Sequence, residues 1–260
     1  MTLEFKLDWR DNTKLRKLCE FLESSSFVNA LWKQSNIVAV GRLKYTDHGP
    51  VHAKIVAKRS LEIIRLLYKG GVKPTMVTAH GMGFHDSELV VVAASALHDI
   101  GHVVHRHDHE IHAIPFAMKI LDEVLPSIYS GEEYPIVLSE ILHAIYCHDA
   151  MTPPLTVEAG VVSIADALDM EQGRARIPFS IGKVDIHSVS ALSVERVIVT
   201  EGRERPVMII VKMRDPSGIF QLDQLLRRRI ENSGLKDHIY VRGEIEVTGE
   251  PPLKMFEMKL

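Results

Sequence analysis

The chain has 260 residues, of which 46% are hydrophobic and 25% charged, with a formal net charge of −3. That is ample for one large domain, or a domain plus a smaller one, and the near-balanced charge argues against a polyanion- or membrane-binding protein as the default reading. Two cysteines, Cys19 and Cys147, sit in apolar helical stretches and imply no disulfide framework, as in a reducing cytoplasm. The most apolar run, Leu89 to Leu97, is far too short to span a bilayer, and residues 1–30 are too charged for a signal peptide. A soluble, cytoplasmic protein with no membrane or nucleic-acid partner is the expectation.

Taken in chain order, Leu15, Leu18, Phe21 and Leu22 have helical spacing within residues 13–32. Residues 50–69 predict a longer helix, with Pro50 in its first turn and Gly70-Gly71 after its end. Asp86 or Ser87 is placed to cap a helix over 87–99. Further helices are expected over 109–125, 135–148 and 155–172, the last ending at Gly173. After about residue 185 the texture changes. ERVIVT (195–200) and PVMIIVKM (206–213) are β-rich, GIFQLDQLLRRRIEN (218–232) reads as an amphipathic helix, and HIYVRGEIEV (238–247) alternates like a strand. The fold class is therefore mainly α: a helical domain over 1–185 followed by a small α+β unit, β-β-α-β, over 186–260. This unit is expected to pack on the helical domain or mediate self-association into a homo-oligomer. It is not expected to supply metal ligands, and Arg227, Arg228 and Arg229 are read as mostly solvent-facing.

Residues 98–112, HDIGHVVHRHDHEIH, hold six of the fourteen histidines. Imidazole mixed with carboxylate points to a transition-metal site. Helical facing sorts the candidates, because residues three or four apart share a face. His52 continues as Val56, Ser60, Ile63 and Leu67, a mostly apolar stripe. His48 lies one turn earlier, facing the pocket or capping the helix. His98-Asp99 ends an apolar helix, and both can aim at one pocket only at such an end. His109 shares a face with Ala113, Phe116, Ile120 and Val124, which favours it over His112. His148 follows Ile141, Ala144 and Ile145, which favours it over His143. Asp166 lies among Ile164, Ala165 and Leu168, where a lone carboxylate costs several kcal/mol unless paired or metal-bound. Asp169 is the alternative. His102, His105 and His107 fall in the connecting loop.

His52 within HAKIVA, the HD pair at 98–99 and an Asp within IADALD resemble the HD-domain superfamily of metal-dependent phosphohydrolases, and ELVVVAASALHDIGH is similar to its most typical segment. The resemblance covers roughly residues 45–175 and implies an HD-type helical bundle. It implies His52, His98, Asp99 and Asp166 as ligands of a primary metal. His109 and His148 fall where two-metal members add ligands. AMTPP after His148-Asp149 departs from the cyclic-di-nucleotide branch, whose substrate is therefore a poor guess.

The activity implied is hydrolysis of a nucleotide or other small phosphoester, monoester or diester, by a metal-bound hydroxide at a dinuclear manganese, iron, cobalt or nickel site. In that scheme Asp99 bridges the ions and His98 and Asp99 are the catalytic pair. His48, His102, Arg174 and Arg176 are the substrate-binding candidates, the two arginines pointing the same way if GRARIPF is extended. As helix-end residues they would instead complement the dipole. The competing reading is a metal- or nucleotide-binding regulatory module with weak catalysis.

Overall fold

Asn12 opens the first helix, α1 (Thr13–Ser24), its side-chain oxygen accepting the Leu15 amide. The structure, a computed structural model, describes residues 5, 7–171, 186–245 and 255–258. The single helix expected over 13–32 is two. Ser25 takes an extended conformation and its hydroxyl accepts the Val28 amide, which starts α2 (Ser26–Asn36). Serine favours such a cap because its short side chain satisfies an amide that the helix itself leaves unpaired. A π-helical turn, Ile37–Arg42, follows.

Pro50 and Gly70 bound α3 (Pro50–Lys69) as the sequence predicts. After the short α4 (Thr75–Thr78) comes α5 (Phe84–Leu97), which begins earlier than expected. Asp86 is not its cap but its third residue, and its carboxylate accepts the Gly83 amide at 2.9 Å. Every residue of α5 from Asp86 to Leu97 is buried. Burying each Val or Leu side chain contributes about 1.5–3 kcal/mol, so α5 is the axis around which α1, α3, α7 and α8 pack. Its two buried acids are paired: Asp86 with Lys14 and the Tyr129 hydroxyl, Glu88 with Arg65 and Asn12. A 3-10 turn (Ile100–Val103) leads to α6 (His109–Val124), α7 (Glu133–Tyr146) and α8 (Val157–Ala167). Cys19 and Cys147 are free and buried.

The C-terminal part begins with α9 (Ile186–Ser193), then β1 (Val194–Glu201) and β2 (Val207–Met213). The expected helix is a run of α10 (Ile219–Gln221), a π turn (Leu222–Leu226) and α11 (Arg227–Asn232). It carries the chain across to β3 (Ile239–Ile245), which pairs parallel with β2 from Val207↔Ile239 to Met213↔Ile245. A parallel pair needs such a crossover. β1 and β4 (Met255–Glu257) complete a four-stranded sheet, order β1-β2-β3-β4, each antiparallel to its neighbour. The fold is thus mainly α, a helical bundle followed by a small α+β unit. Arg59 of α3 donates to the Val197 carbonyl at 2.6 Å and Lys69 pairs with Glu201, so the sheet rests on α3. On α8, Gly160 has no side chain, and a Cβ there would lie 2.5 Å from the Ser233 carbonyl oxygen. That close approach seats α11 against α8. No helix among the described residues is long and apolar enough to cross a membrane.

Candidate metal centre

The buried helix α5 stops at Leu97, and His98-Asp99 turn out of it into the 3-10 segment. Side chains of α2 hold this end: the Trp32 indole donates to the Ala96 carbonyl at 2.7 Å and the Ser35 hydroxyl to the Asp99 carbonyl at 3.2 Å. Gly101 lets the start of α6 close on the turn. A Cβ at 101 would fall 1.9 Å from the His109 carbonyl oxygen and 2.5 Å from the Ala113 nitrogen.

Six side chains converge there, from α3, the end of α5, α6, the end of α7 and α8. His52 Nε2 lies 3.2 Å from Asp99 Oδ2 and 3.2 Å from Asp166 Oδ1. His98 Nε2 lies 3.3 Å and 3.7 Å from the same two oxygens. On the opposite side, His109 Nε2 is 3.5 Å and His148 Nε2 3.9 Å from Asp99 Oδ1. The Nε2 atoms also face each other in pairs, His52 with His98 at 3.1 Å and His109 with His148 at 3.0 Å. His52, His98, Asp99, His109 and His148 are all buried, and Asp166 is nearly so.

Hydrogen bonds fix which ring nitrogen is presented. Nδ1 of His98 bonds the Ser95 carbonyl, that of His109 the Arg106 carbonyl and that of His148 the Ile145 carbonyl, at 2.8, 3.1 and 2.6 Å. A carbonyl only accepts, so each Nδ1 carries hydrogen and each neutral ring offers the Nε2 lone pair. His52 Nδ1 bonds Asp169 Oδ2 at 2.6 Å, to the same effect. Opposed lone pairs 3 Å apart repel unless a cation lies between them. Asp99 Oδ2 is moreover buried with no hydrogen-bond partner. This donor set fits divalent transition-metal ions.

The electrostatics agree. Burial alone would raise Asp99 and Asp166. Instead His98, His102, His48 and His52 hold Asp99 well below the usual carboxylate range, as Arg229, His52 and His98 do for Asp166. Burial, with His98 and His109, holds His148 well below the ordinary imidazole value. Burial works to lower His98 too, but Asp99 and Asp166 outweigh it and push its pKa up to about 9.

Of the other candidates, His102 is fully buried in the 3-10 turn and not in a loose loop. Its ring lies 4.3 Å from that of His109 and 4.7 Å from that of His48, which is buried beside His52. The helix α3 begins at Gly49-Pro50, so His48 is not its cap. His112 and His143 are absent from the cluster, and His143 Nε2 instead accepts the Leu155 amide. Asp169 is not a substitute for Asp166 but the group that orients His52. Arg174 and Arg176 lie outside the described residues.

Two arginines escaped the sequence reading. Arg106, inside the histidine-rich stretch, bonds His102 and His48. Arg229 of α11, one of three adjacent arginines of which most are expected to face solvent, turns inward. Its guanidinium is 3.1 Å from Asp166 Oδ2 and also donates to the His148 carbonyl and to Ser163. Three consecutive arginines cannot share one helix face, but periodicity did not reveal which one points inward.

Residues 51–171 match the HD domain family. Over 219 residues the chain is 43% identical to the uncharacterized protein MJ1020 of Methanocaldococcus jannaschii, covering 84% of this chain and 85% of that protein. It is 29% identical to Ribonuclease Y of Thermoanaerobacter pseudethanolicus and 30% identical to Ribonuclease Y of Desulforudis audaxviator. These alignments cover 82% and 75% of this chain but 37% and 35% of those proteins. The chain thus corresponds to little more than a third of either ribonuclease Y. No solved structure matches it. With the matched segment spanning α3 to α8, and with histidines and aspartates of that segment gathered at the end of its central helix, the chain belongs to the HD-domain superfamily of metal-dependent phosphohydrolases.

Proposed function

We propose that the protein is a dinuclear metal-dependent phosphodiesterase acting on small nucleotide phosphodiesters. The observation that carries this reading is the split of Asp99. Its Oδ2 faces His52 and His98, and its Oδ1 faces His109 and His148. One carboxylate between two imidazole pairs, with Asp166 closing the first, is a ligand set for two adjacent ions. Bound divalent ions supply Lewis acidity and activate water near neutral pH. Manganese, iron, cobalt and nickel suit the donors.

The protein's own groups do the positioning. Asp169 sets the His52 tautomer, backbone carbonyls set those of His98, His109 and His148, and Arg229 orients Asp166. No serine or cysteine nucleophile is required. The ribonuclease Y relatives favour a diester over a monoester, and the small net charge favours a short substrate over a long polymer.

The test is hydrolysis of bis-p-nitrophenyl phosphate, p-nitrophenyl phosphate and a panel of dinucleotides and cyclic nucleotides. Chelator-treated protein is used, reloaded with each of the four metals. Turnover of diesters above the monoester, dependent on added metal, is expected. No turnover of any phosphoester with any of the metals overturns the reading.

A further inference from the structure

Arg106 sits on the connection between the HD turn and α6. Its Nη1 lies 2.8 Å from His102 Nε2 and 3.3 Å from His48 Nε2. The other nitrogens of these rings are committed: His102 Nδ1 to the Asp99 carbonyl at 3.0 Å and His48 Nδ1 to the Thr46 carbonyl at 2.7 Å. Each Nδ1 therefore donates, each Nε2 accepts, and both rings are neutral partners of the guanidinium. The Tyr45 ring packs 5.0 Å from the guanidinium carbon. Among the described residues, no carboxylate pairs with Arg106. The nearest acid in sequence, Asp108, is turned to His107 at 2.6 Å.

Two neutral imidazoles and an aromatic face bring no negative charge to offset that of the guanidinium. Both imidazoles are buried, so the guanidinium is fixed in place. It stands one imidazole away from Asp99 and His109, through His102. Arg229, by contrast, is already compensated by Asp166. A half-buried, oriented guanidinium beside a ligand cluster, with no carboxylate paired to it among the described residues, suits an incoming anion.

We propose that Arg106 anchors a non-bridging phosphate oxygen of the substrate, with His48 and His102 aiming it as neutral acceptors. The inference rests on the phosphodiesterase reading for the identity of its anion. Its test does not require turnover. Inorganic phosphate is titrated calorimetrically into the metal-loaded full-length protein, as wild type, Arg106→Gln and Arg106→Lys, with metal content measured for each.

Losing one charge-assisted contact predicts phosphate affinity about 10- to 100-fold weaker in Arg106→Gln, with metal content unchanged. Arg106→Lys keeps the charge but cannot span two imidazoles and a phosphate, so an intermediate loss of several-fold is expected. A purely structural role would lower the melting temperature and leave phosphate affinity alone. Equal phosphate affinity in wild type and Arg106→Gln overturns the inference, as does absence of phosphate binding by wild type. If Arg106→Gln does not fold, equal affinity in Arg106→Lys overturns it. Wild type that binds phosphate through Arg106 yet hydrolyses no phosphoester leaves the anchor standing and removes the phosphodiesterase reading.

Discussion

Arg229 and Asp166 meet at 3.1 Å across the boundary between the C-terminal helix α11 and the bundle helix α8. The same guanidinium donates to the carbonyl of His148. One side chain from the α+β unit therefore holds a carboxylate of one imidazole group and the backbone of the other. Arg229→Ala is expected to weaken metal binding about 10- to 100-fold, the usual effect of removing a group that orients a ligand. It should also lower the stability of the metal-free protein by about 1–3 kcal/mol, because Asp166 keeps its charge without its partner. Saturating manganese should recover most of that loss in a thermal melt. Metal affinity and melting temperatures equal to wild type in Arg229→Ala would remove this role.

Asp99 faces both imidazole pairs, so its loss should be felt by both. Elemental analysis of wild type should give about two metals per chain, and of Asp99→Ala about none. His109→Ala and His148→Ala should each give about one. A wild-type ratio of about one, unchanged in these two variants, would leave a mononuclear centre.

Asp169 accepts the His52 Nδ1 hydrogen and belongs to none of the candidate ligand groups among the described residues. Asp169→Asn can present a donor where an acceptor is needed, which favours the wrong His52 tautomer. Metal affinity about 10- to 100-fold weaker is expected with the fold intact by circular dichroism. Unchanged affinity would show that His52 needs no such partner.

Gly101→Ala forces a methyl group onto the His109 carbonyl and the Ala113 amide. Overpacking of this kind costs about 1–3 kcal/mol, and here the relief is a movement of α6 away from the turn. Denaturant titration should show the loss of stability. The metal lost first should be the one that depends on His109. A fully stable Gly101→Ala with both metals would mean that α6 has room the structure does not show.

Burial pushes the Cys19 thiol up to about 12, with Glu23 and Glu20 adding to the shift. The thiolate is the reactive form, so iodoacetamide at pH 8 should modify Cys19 only as fast as the protein unfolds. Rapid labelling of the native chain, located by mass spectrometry, would contradict this.

The histidines of the cluster are legible because His52 and His109 lie on the apolar face of a helix that the 3.6-residue period defines, and His98 and His148 fall just past the ends of apolar helices. His52, His109 and His148 were singled out on that ground, and the structure buries all three. The break at Ser25 was signalled by the serines at 24–26, but an apolar spacing that runs past it hid the cap. The three-residue strand β4 is too short to show alternation. Arg106, Arg229 and Asp169 depend on which distant elements meet, and no local period encodes that. Arg229 lies 63 residues after Asp166 and approaches it on a helix whose end, at Ser233, packs closely on Gly160.

Four histidines, at 98, 102, 109 and 148, share one habit: Nδ1 bonds the carbonyl three residues earlier. Each ring is thus aimed by its own turn of chain, before any long-range packing is considered. The tertiary fold has only to bring those turns to a common point. Loops joining the helices can lengthen or shorten without re-aiming these imidazoles, provided the turns still meet. His52 is the exception, since its aim is set by a carboxylate 117 positions away. Drift in the segment carrying Asp169 would therefore be read out first as misalignment of His52, while the other rings kept their heading.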